Sequence, residues 1–383
     1  MTQHSQINCS LTLFDKTLKL YRYPKRSQHK NLQAWDAADE LLIQYIHNEL
    51  EPAQLTNLLI FNDDFGALGC WLQPYSPYWY SDSYVSLKAL QMNLTANDLA
   101  AETLQIHDSL TPPVTAQTIV IKLPKSLALL EQQLIDLQAV VSKDTQVIAA
   151  AKVTGISKTT LELFEKYLGP TTTSLAQKKA RLIFCSPTAD KNHISPYPTI
   201  WPLPNTAFTI SNLANVFSRQ SIDIGGRFLI ENLPDCSAKT VIDLGCGNGI
   251  VGLSVLKKHP DAKIIFVDES VMAVASAKMN IENNMPERLQ QCEFVVSNCL
   301  DELIHHQANI VLCNPPFHQK NTITDHIAWQ MFKDSQTCLY PHGELRVVGN
   351  RHLDYQQKLK RLFRGCQVVA SNQKFSILSV RKA

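Results

Sequence analysis

Short apolar segments, each ended by a polar residue or a glycine, recur along the second half of the chain and alternate with amphipathic stretches. The apolar segments are residues 240–243, 263–267, 293–297 and 308–313. Their lengths are typical of buried strands, whereas Ile250 to His259 has the periodicity of a helix with one apolar face. Strands that alternate with helices in this way predict an α/β fold with a mainly parallel sheet.

The first half of the chain repeats this pattern. Segments 60–69, 79–85 and 119–125 parallel the later glycine-rich loop, residues 265–271 and residues 311–317. The interval from Asp82 to Lys122 is 40 residues, close to the 46 residues from Asp268 to Asn314. Such self-similarity predicts a duplicated α/β unit.

The length of the chain also favours two domains, because 383 residues exceed what one hydrophobic core usually serves. We predict domains at residues 1–190 and 205–383, joined by a proline-rich, semi-extended linker at residues 191–204.

A glycine-rich loop follows the first apolar segment of the second domain. It reads Asp243-Leu244-Gly245-Cys246-Gly247-Asn248-Gly249, and Asp268 ends the next apolar segment, 21 residues beyond Gly247. Glycines let a backbone approach a ligand closely, and an acid at this spacing can reach ribose hydroxyls. A nucleoside cofactor is therefore predicted, although Gly-x-Gly-x-Gly is not the dinucleotide fingerprint. The alternative is an ordinary βα turn without a ligand.

The run Asn314-Pro315-Pro316-Phe317 follows the last of these apolar segments. Ligands bind beyond the carboxyl ends of parallel strands, so this turn is predicted to face one. The Asn314 carboxamide oxygen and the Pro315 carbonyl can accept both hydrogens of a planar amine, and Phe317 offers a ring for base stacking. A plain loop is the alternative for the turn taken alone.

Both motifs together resemble those of class I S-adenosyl-L-methionine-dependent methyltransferases, and most closely the bacterial rRNA guanine-N2 methyltransferases. Strings in both halves extend the resemblance over nearly the whole chain, toward the enzymes of the large-subunit (23S) RNA; they include residues 32–40, 168–173, 215–219 and 350–355. The resemblance implies two tandem Rossmann-like methyltransferase domains with seven-stranded, mainly parallel sheets.

The resemblance also implies roles for residues of the second domain. S-adenosyl-L-methionine is expected to lie beside Asp243 and the Gly245, Gly247 and Gly249 loop, with its ribose at Asp268 and its adenine at Asn298. Phe217, Arg219 and Asp223 fall in a segment that often closes over the cofactor, although a surface position for Arg219 is an equal alternative. The catalytic turn is expected to comprise Asn314, Pro315, Pro316 and Phe317.

The first domain is predicted to be a degenerate copy. Asp64 and Leu68 occupy the places of two loop glycines, and Lys122 replaces the amide of Asn314. A lysine ammonium has donors only and cannot accept the amine hydrogens. We interpret this domain as a cofactor-free RNA-binding partner, with a purely structural domain as the alternative.

Net charge is only +2, but basic residues are clustered. Clustered cations are typical of phosphate binding, and a solvated helix face is the alternative for the C-terminal cluster. The predicted RNA-binding residues are Lys122, Lys125, Lys178, Lys179, Arg181, Lys358, Lys360, Arg361 and Arg364. The expected partner is 23S rRNA, and no obligate protein partner is evident.

Other function classes are disfavoured. The sequence has no apolar run of about 18 residues and no signal-like N-terminus, which argues against a membrane or exported protein. Its ten cysteines lack paired metal-ligand spacing, so we predict a reducing, cytoplasmic location and no metal. The alternatives that stay open are a small-subunit (16S) rRNA enzyme, a protein glutamine methyltransferase, a DNA adenine-N6 methyltransferase and a non-catalytic RNA-binding protein.

Overall fold

The computed structural model describes residues 9–25, 32–188, 191–316 and 322–383. The chain divides into two compact units, Met1–Pro196 and Tyr197–Ala383. In the described part of the chain, no helix is both long and apolar enough to cross a bilayer.

The N-terminal unit begins with a two-stranded antiparallel hairpin and continues as a seven-stranded sheet with helices between its strands. Its elements are β1 (Ser10–Leu13), β2 (Lys16–Lys19), α1 (Ala37–Glu49), β3 (Leu58–Phe61), α2 (Ala67–Leu72), β4 (Tyr78–Ser81), α3 (Tyr84–Ala96), β5 (Gln105–Asp108), β6 (Thr118–Lys122), α4 (Leu127–Leu137), β7 (Gln146–Lys152), α5 (Lys158–Tyr167), β8 (Thr171–Thr173) and β9 (Ala180–Cys185).

The C-terminal unit has the same succession of elements. They are β10 (Thr199–Pro202), β11 (Thr209–Asn212), α6 (Ile224–Glu231), β12 (Thr240–Leu244), α7 (Ile250–Lys258), β13 (Lys263–Asp268), α8 (Val271–Asn284), β14 (Cys292–Val296), β15 (Ala308–Cys313), α9 (Thr322–Cys338), β16 (Leu339–Asn350), α10 (Tyr355–Leu362), β17 (Gln367–Ser371) and β18 (Phe375–Arg381).

The two seven-stranded sheets have equivalent strand orders, β5-β4-β3-β6-β7-β9-β8 and β14-β13-β12-β15-β16-β18-β17. The last two strands of each order are antiparallel to their neighbours, and the other pairs are parallel. The predicted fold class, two tandem units with seven-stranded, mainly parallel sheets, is confirmed. In each sheet the chain first adds strands on one side of β3 or β12 and then continues on its other side, at β6 or β15. Open α/β sheets bind ligands at such a reversal of strand order.

The sheet of the C-terminal unit is buried on both faces. Side chains of β12 alternate between two apolar clusters, with Val241 in one and Ile242 in the other. This explains the continuous apolar runs in the sequence, because strands covered by helices on both faces have no solvent-facing positions. The carboxyl ends of β12, β13 and β15 therefore lie at one well-anchored edge.

Part of the predicted linker is a strand instead. Residues Thr199–Pro202 form β10 and pair with β11, where Trp201 lies opposite the fully buried Ile210. Thr199, Ile200 and Trp201 are residue types that favour strands. The linker prediction is wrong for these residues because the strand preference of the β-branched and aromatic residues outweighs the effect of the flanking prolines.

Candidate active site

The glycine loop connects β12 to α7, where the strand order of the sheet reverses between β12 and β15. Gly245, Gly247 and Gly249 all have positive φ, of 72°, 54° and 74°. A Cβ on Gly249 would lie 2.7 Å from the Ala277 Cβ, so a side chain there would collide with α8. A Cβ on Gly247 would meet no atom within 4 Å, so the backbone of the loop is open to a ligand on that side.

Asp268, at the end of β13, supports this loop. Its Oδ2 accepts a hydrogen bond from the Gly247 N–H at 2.9 Å, and its Oδ1 accepts one from the Ser270 N–H at 3.1 Å. Ser270 begins α8, and its hydroxyl accepts from the Ala273 N–H. The carboxylate is thus held at the open side of the loop by two neighbouring backbone groups.

Asp243 lies beneath the loop. It is 3% exposed, and its Oδ2 accepts a hydrogen bond from the Gly252 N–H of α7 at 2.9 Å. Burial raises the pKa of Asp243 to about 7, although the Gly252 N–H works in the opposite direction. This carboxyl therefore ties the strand end to the helix that follows the loop.

Asn298 lies two residues beyond β14, on the same edge of the sheet. It is 8% exposed, and its Nδ2 donates to Asp301 Oδ2 at 2.8 Å. The edge therefore presents the loop, Asp268 and Asn298 beyond three adjacent strands.

Asn314 follows β15 on the other side of β12. Its Nδ2 donates to Asp223 Oδ2 at 3.2 Å, and Asp223 also caps α6 by accepting from the Gly226 N–H at 2.9 Å. The Asn314 Oδ1 is buried but accepts no hydrogen bond from the described residues. A buried acceptor without a donor costs about 1–3 kcal/mol, which is expected where a ligand supplies the donor.

The rest of the turn is only partly described. Pro315 is buried and Pro316 is exposed, and neither has a backbone N–H. Phe317 lies outside the described residues.

Phe217 and Arg219 precede α6. The Phe217 side chain is 66% exposed. The Arg219 Nη1 donates to the Ala214 carbonyl at 2.7 Å, and its guanidinium lies 5.5 Å from the centroid of the Tyr197 ring. In this structure Arg219 therefore braces its own segment.

The predicted RNA-binding residues differ in accessibility. Lys178 forms an ion pair with Glu40 at 2.7 Å, and Arg181 and Lys358 are half-buried. The other exposed members of the set are Lys125, Lys179, Lys360, Arg361 and Arg364.

Lys122 does not belong with them. Its side chain is 7% exposed, and its Nζ lies 2.8 Å from both Asp36 Oδ1 and Asp39 Oδ1. Desolvation alone would lower the pKa of Lys122, but these two carboxyls raise it above its usual value. The prediction that Lys122 contacts RNA is wrong, because an ammonium buried in an ion cluster cannot reach a phosphate.

The elements of the two units correspond with a shift of one or two residues from the alignment predicted from the sequence. Both loops have four residues between the strand end and the helix-capping glycine, 62–65 and 245–248, and both glycines have positive φ. Gly66 therefore corresponds to Gly249, so Asn62 and Asp64, rather than Asp64 and Leu68, replace the two lost glycines. Leu68 is instead a buried residue of α2.

The same correction applies at β4. The Ser83 N–H donates to Ser81 Oγ at 3.1 Å, as the Ser270 N–H donates to Asp268. Ser81, rather than Asp82, thus corresponds to Asp268. The predicted equivalence of Lys122 and Asn314 is confirmed. Lys122 directly follows Ile121, which pairs with Phe61 at the end of β3, and Asn314 directly follows Cys313, which pairs with Leu244 at the end of β12.

An asparagine pair in each unit went unnoticed in the sequence. Asn280 Nδ2 donates to the Asn248 carbonyl in the glycine loop at 2.9 Å and to the Ser211 carbonyl of β11 at 2.9 Å. Asn93 makes the equivalent bonds to the carbonyls of Phe65 and Tyr21. The signal was the shared string Met-Asn-x-x-x-Asn, at residues 92–97 and 279–284, whose last asparagines bind the hairpins at Lys19 and Thr209.

Comparisons with known proteins agree with this architecture. Residues 8–189 match the family model described as RLMG N-terminal domain, and residues 207–379 match the Methyltransferase small domain. A solved T. thermophilus 16S rRNA N2 methyltransferase, in complex with AdoMet and guanosine, has a TM-score of 0.76 and covers 98% of this chain and 97% of its own. At 18% identity it is similar in fold alone.

Closer relatives are found by sequence. A ribosomal RNA large subunit methyltransferase G from Pseudoalteromonas atlantica is 58% identical over 379 residues, covering 97% of this chain and 99% of the relative. The one from Aeromonas salmonicida is 55% identical over 367 residues, covering 95% and 97%.

Fold and site together define a class I, S-adenosyl-L-methionine-dependent methyltransferase. Within that class, the chain belongs to the family of ribosomal RNA large subunit methyltransferase G.

Proposed function

We propose that this chain transfers a methyl group from S-adenosyl-L-methionine to the exocyclic N2 of a guanine in 23S rRNA. The observation that supports this most strongly is Asn314, whose buried Oδ1 has no donor among the described residues at the ligand-binding edge of the sheet. The name of the relatives supports the RNA, and the family resemblance supports the guanine N2.

The cofactor fits the edge formed by β12, β13 and β14. The glycine loop from Gly245, whose backbone is open at Gly247, would lie beside its methionine part. Asp268 would accept from its ribose hydroxyls, and Asn298 would contact its adenine. When bound, the cofactor supplies an electrophilic methyl group on a sulfonium. Asp243 is assigned to holding the loop rather than to direct contact, because its carboxyl binds α7.

On the RNA side, Asn314 Oδ1 and the Pro315 carbonyl would accept the two hydrogens of the guanine amine. This directs the nitrogen lone pair toward the methyl carbon, and one nitrogen proton is released as the N–C bond replaces the S–C bond. The positive charge leaves the sulfonium as the methyl group moves and departs with the nitrogen proton. Alignment in a dry pocket therefore matters more than a strong base. Phe317 is the predicted stacking partner of the base.

The N-terminal unit is proposed to be catalytically inactive and to bind RNA. Asp64, Ser81 and Lys122 stand where the C-terminal unit has Gly247, Asp268 and Asn314, so neither cofactor nor amine has its partners there. Lys125, Lys179 and Arg181 remain its candidate RNA contacts, with Lys178 after release from Glu40. The ten free thiols support a cytoplasmic location for the enzyme.

The test is the Asn314→Ala variant. We expect turnover on rRNA to fall by about 10²–10³, as when a positioned polar group is removed from a transition state, while the affinity for S-adenosyl-L-methionine stays near that of the wild type. Asn309→Ala is the matched control, because Asn309 lies near the start of β15, at the end away from Asn314, and its side chain accepts a hydrogen bond from the Thr240 N–H. Near-normal turnover of Asn314→Ala at saturating RNA would refute the role of the amide.

A further inference from the structure

The C-terminal unit has a groove outside the site described above. It lies between the turn of the β10–β11 hairpin, α6 and α7, and has a volume of about 560 Å³. We call it the hairpin groove; its apolar lining includes Leu203, Phe208 and Leu233, and its cations are Arg227, Lys257 and Lys258.

The charge of the hairpin groove is strongly one-sided. Arg227, Lys257 and Lys258 are exposed, and among the described residues none of them forms a salt bridge. Glu231 is the single acid in the lining. The Lys257 ammonium lies 5.5 Å from the centroid of the Phe208 ring, so a cation and an aromatic ring are adjacent in the apolar lining of the groove.

The corresponding region of the N-terminal unit is crossed by side chains. There the helix after the hairpin has 13 residues, against 8 in α6, and His47 in its last turn stacks on Phe14 of the hairpin turn at 3.7 Å between ring centroids. The Lys16 amine bonds the Trp71 carbonyl at the end of α2 at 3.0 Å. The open groove is thus a property of the C-terminal copy and not of the shared fold.

The same helix joins the groove to the proposed active site. Asp223 caps the first turn of α6 and contacts Asn314, whereas Arg227, one turn further, lines the groove. Eight helical residues span about 12 Å. If an RNA strand places a base at Asn314, the nucleotides next to that base can therefore reach the hairpin groove.

We propose that the hairpin groove binds a single-stranded segment of the RNA substrate, next to the target guanine. A base lies against Phe208 and the apolar floor, and adjacent phosphates contact Arg227, Lys257 and Lys258. A positively charged groove with an aromatic ring is the usual design for single-stranded nucleic acid, and the volume is within the range of pockets that hold small ligands, about 300–1,000 Å³. This inference rests on the proposed function.

The experiment compares two triple variants of the full chain that change net charge equally. One is Arg227→Gln/Lys257→Gln/Lys258→Gln, and the control is Lys263→Gln/Lys278→Gln/Lys333→Gln, at exposed cations outside the groove. Binding of a deproteinised, unmethylated 23S rRNA fragment is measured over a range of salt concentrations. We expect the groove variant to lose about tenfold in affinity at low salt and to flatten the log–log salt slope by about 2, since each phosphate contact on a single strand contributes about 0.7.

Phe208→Leu separates stacking from charge. It keeps the floor apolar, so we expect weaker RNA binding by several-fold with an unchanged salt slope. The proposal is overturned if the groove variant and the control shift RNA affinity and salt slope equally. It is also overturned if RNA affinity is unchanged while binding to the assembled large subunit drops, which would indicate an acidic protein as the occupant.

The failure of this proposal can be told from that of the proposed function. A wild-type chain that methylates rRNA guanine while the groove variant binds RNA normally refutes the groove alone. A wild-type chain that methylates no RNA refutes the proposed function.

Discussion

At the scale of single residues, the two copies differ in side chains that occupy equivalent positions and bind the same local backbone groups. Asp268 and Ser81 both accept a hydrogen bond from the N–H of the serine that caps the next helix. Only Asp268 adds a second carboxylate oxygen, directed at the glycine loop. A serine can preserve the local turn, but it cannot offer ribose a charge-assisted acceptor.

We therefore predict that Asp268→Ala weakens S-adenosyl-L-methionine binding by about 1.5–3 kcal/mol, the range for a hydrogen bond to a charged group. Calorimetric titration of the full chain measures this. Ser81→Ala removes the equivalent bond to the Ser83 N–H in the other copy and should leave the affinity unchanged. Equal effects from both substitutions, or none from Asp268→Ala, would contradict the assignment of the ribose site.

Lys122 illustrates a second kind of residue-level change. It occupies the position of Asn314, and Asp36 occupies that of Asp223 at the N-cap of the helix after the hairpin. Where the C-terminal copy has the amide proposed to bind a ligand, the N-terminal copy has a buried ion cluster of Lys122, Asp36 and Asp39. Desolvation raises the pKa of Asp39. In Asp36 desolvation also acts to raise the pKa, but the charge and hydrogen bond of Lys122, the Ala38 N–H and the charge of Lys152 together outweigh it and lower the pKa.

Removing the Lys122 ammonium should therefore destabilise the fold without changing the affinity for RNA. We predict that Lys122→Met lowers the free energy of unfolding by about 3–5 kcal/mol, because it leaves buried carboxyls without their partner. Urea unfolding and RNA titration of the full chain test this. The exposed Lys125→Met is the opposite case, expected to keep stability and, as a candidate RNA contact, to weaken RNA binding. A stable Lys122→Met protein with weakened RNA binding would restore the prediction made from the sequence.

At the scale of elements, each glycine or degenerate loop is tied to the preceding hairpin by an asparagine of the following helix. Asn280 also accepts from the Ser211 N–H at 2.7 Å, and Asn93 accepts from the Tyr21 N–H at 2.9 Å. The two residues therefore make the same three kinds of contact. What differs is the loop that each one holds.

This symmetry gives a matched pair of variants. Asn280→Ala and Asn93→Ala should each cost about 1–3 kcal/mol of stability, since both leave buried backbone groups unpaired. Only Asn280→Ala should raise the Kd for S-adenosyl-L-methionine, because it alone releases the loop proposed to hold the cofactor. If calorimetry gives the same Kd for both variants, the asparagine is a structural tie without influence on the site.

The elements were largely predictable from the sequence, and their detailed register was not. Continuous apolar runs locate β12, β13 and β15 because these strands are buried on both faces. An apolar run does not show at which residue a strand ends, so the alignment of the two halves predicted from the sequence was wrong by one or two residues at Ser81 and Gly66. The Ser83–Ser81 hydrogen bond and the positive φ of Gly66 give the correct register. The sequence also could not show that Lys122 would meet Asp36 and Asp39, because these residues are some 80 positions apart.

At the scale of the whole molecule, the chain is a duplication whose copies have diverged in chemistry but not in topology. Both units have the same strand order, and both have the hairpin and the helix asparagine that binds the segment following or forming it, Asn93 or Asn280. The C-terminal copy retains the open loop, the acid and an amide oxygen that the described part of the chain leaves without a donor. This division of labour predicts that methyl transfer depends on one copy alone.

The central claim is that this copy methylates guanine N2 in large-subunit RNA. The most direct measurement supplies methyl-labelled S-adenosyl-L-methionine to the full chain with deproteinised rRNA from cells that lack the protein, followed by nucleoside analysis of each RNA. We predict label in N2-methylguanosine from 23S rRNA and none when Asn314→Ala replaces the wild type. Label in another nucleoside, in 16S rRNA or in protein would contradict the account.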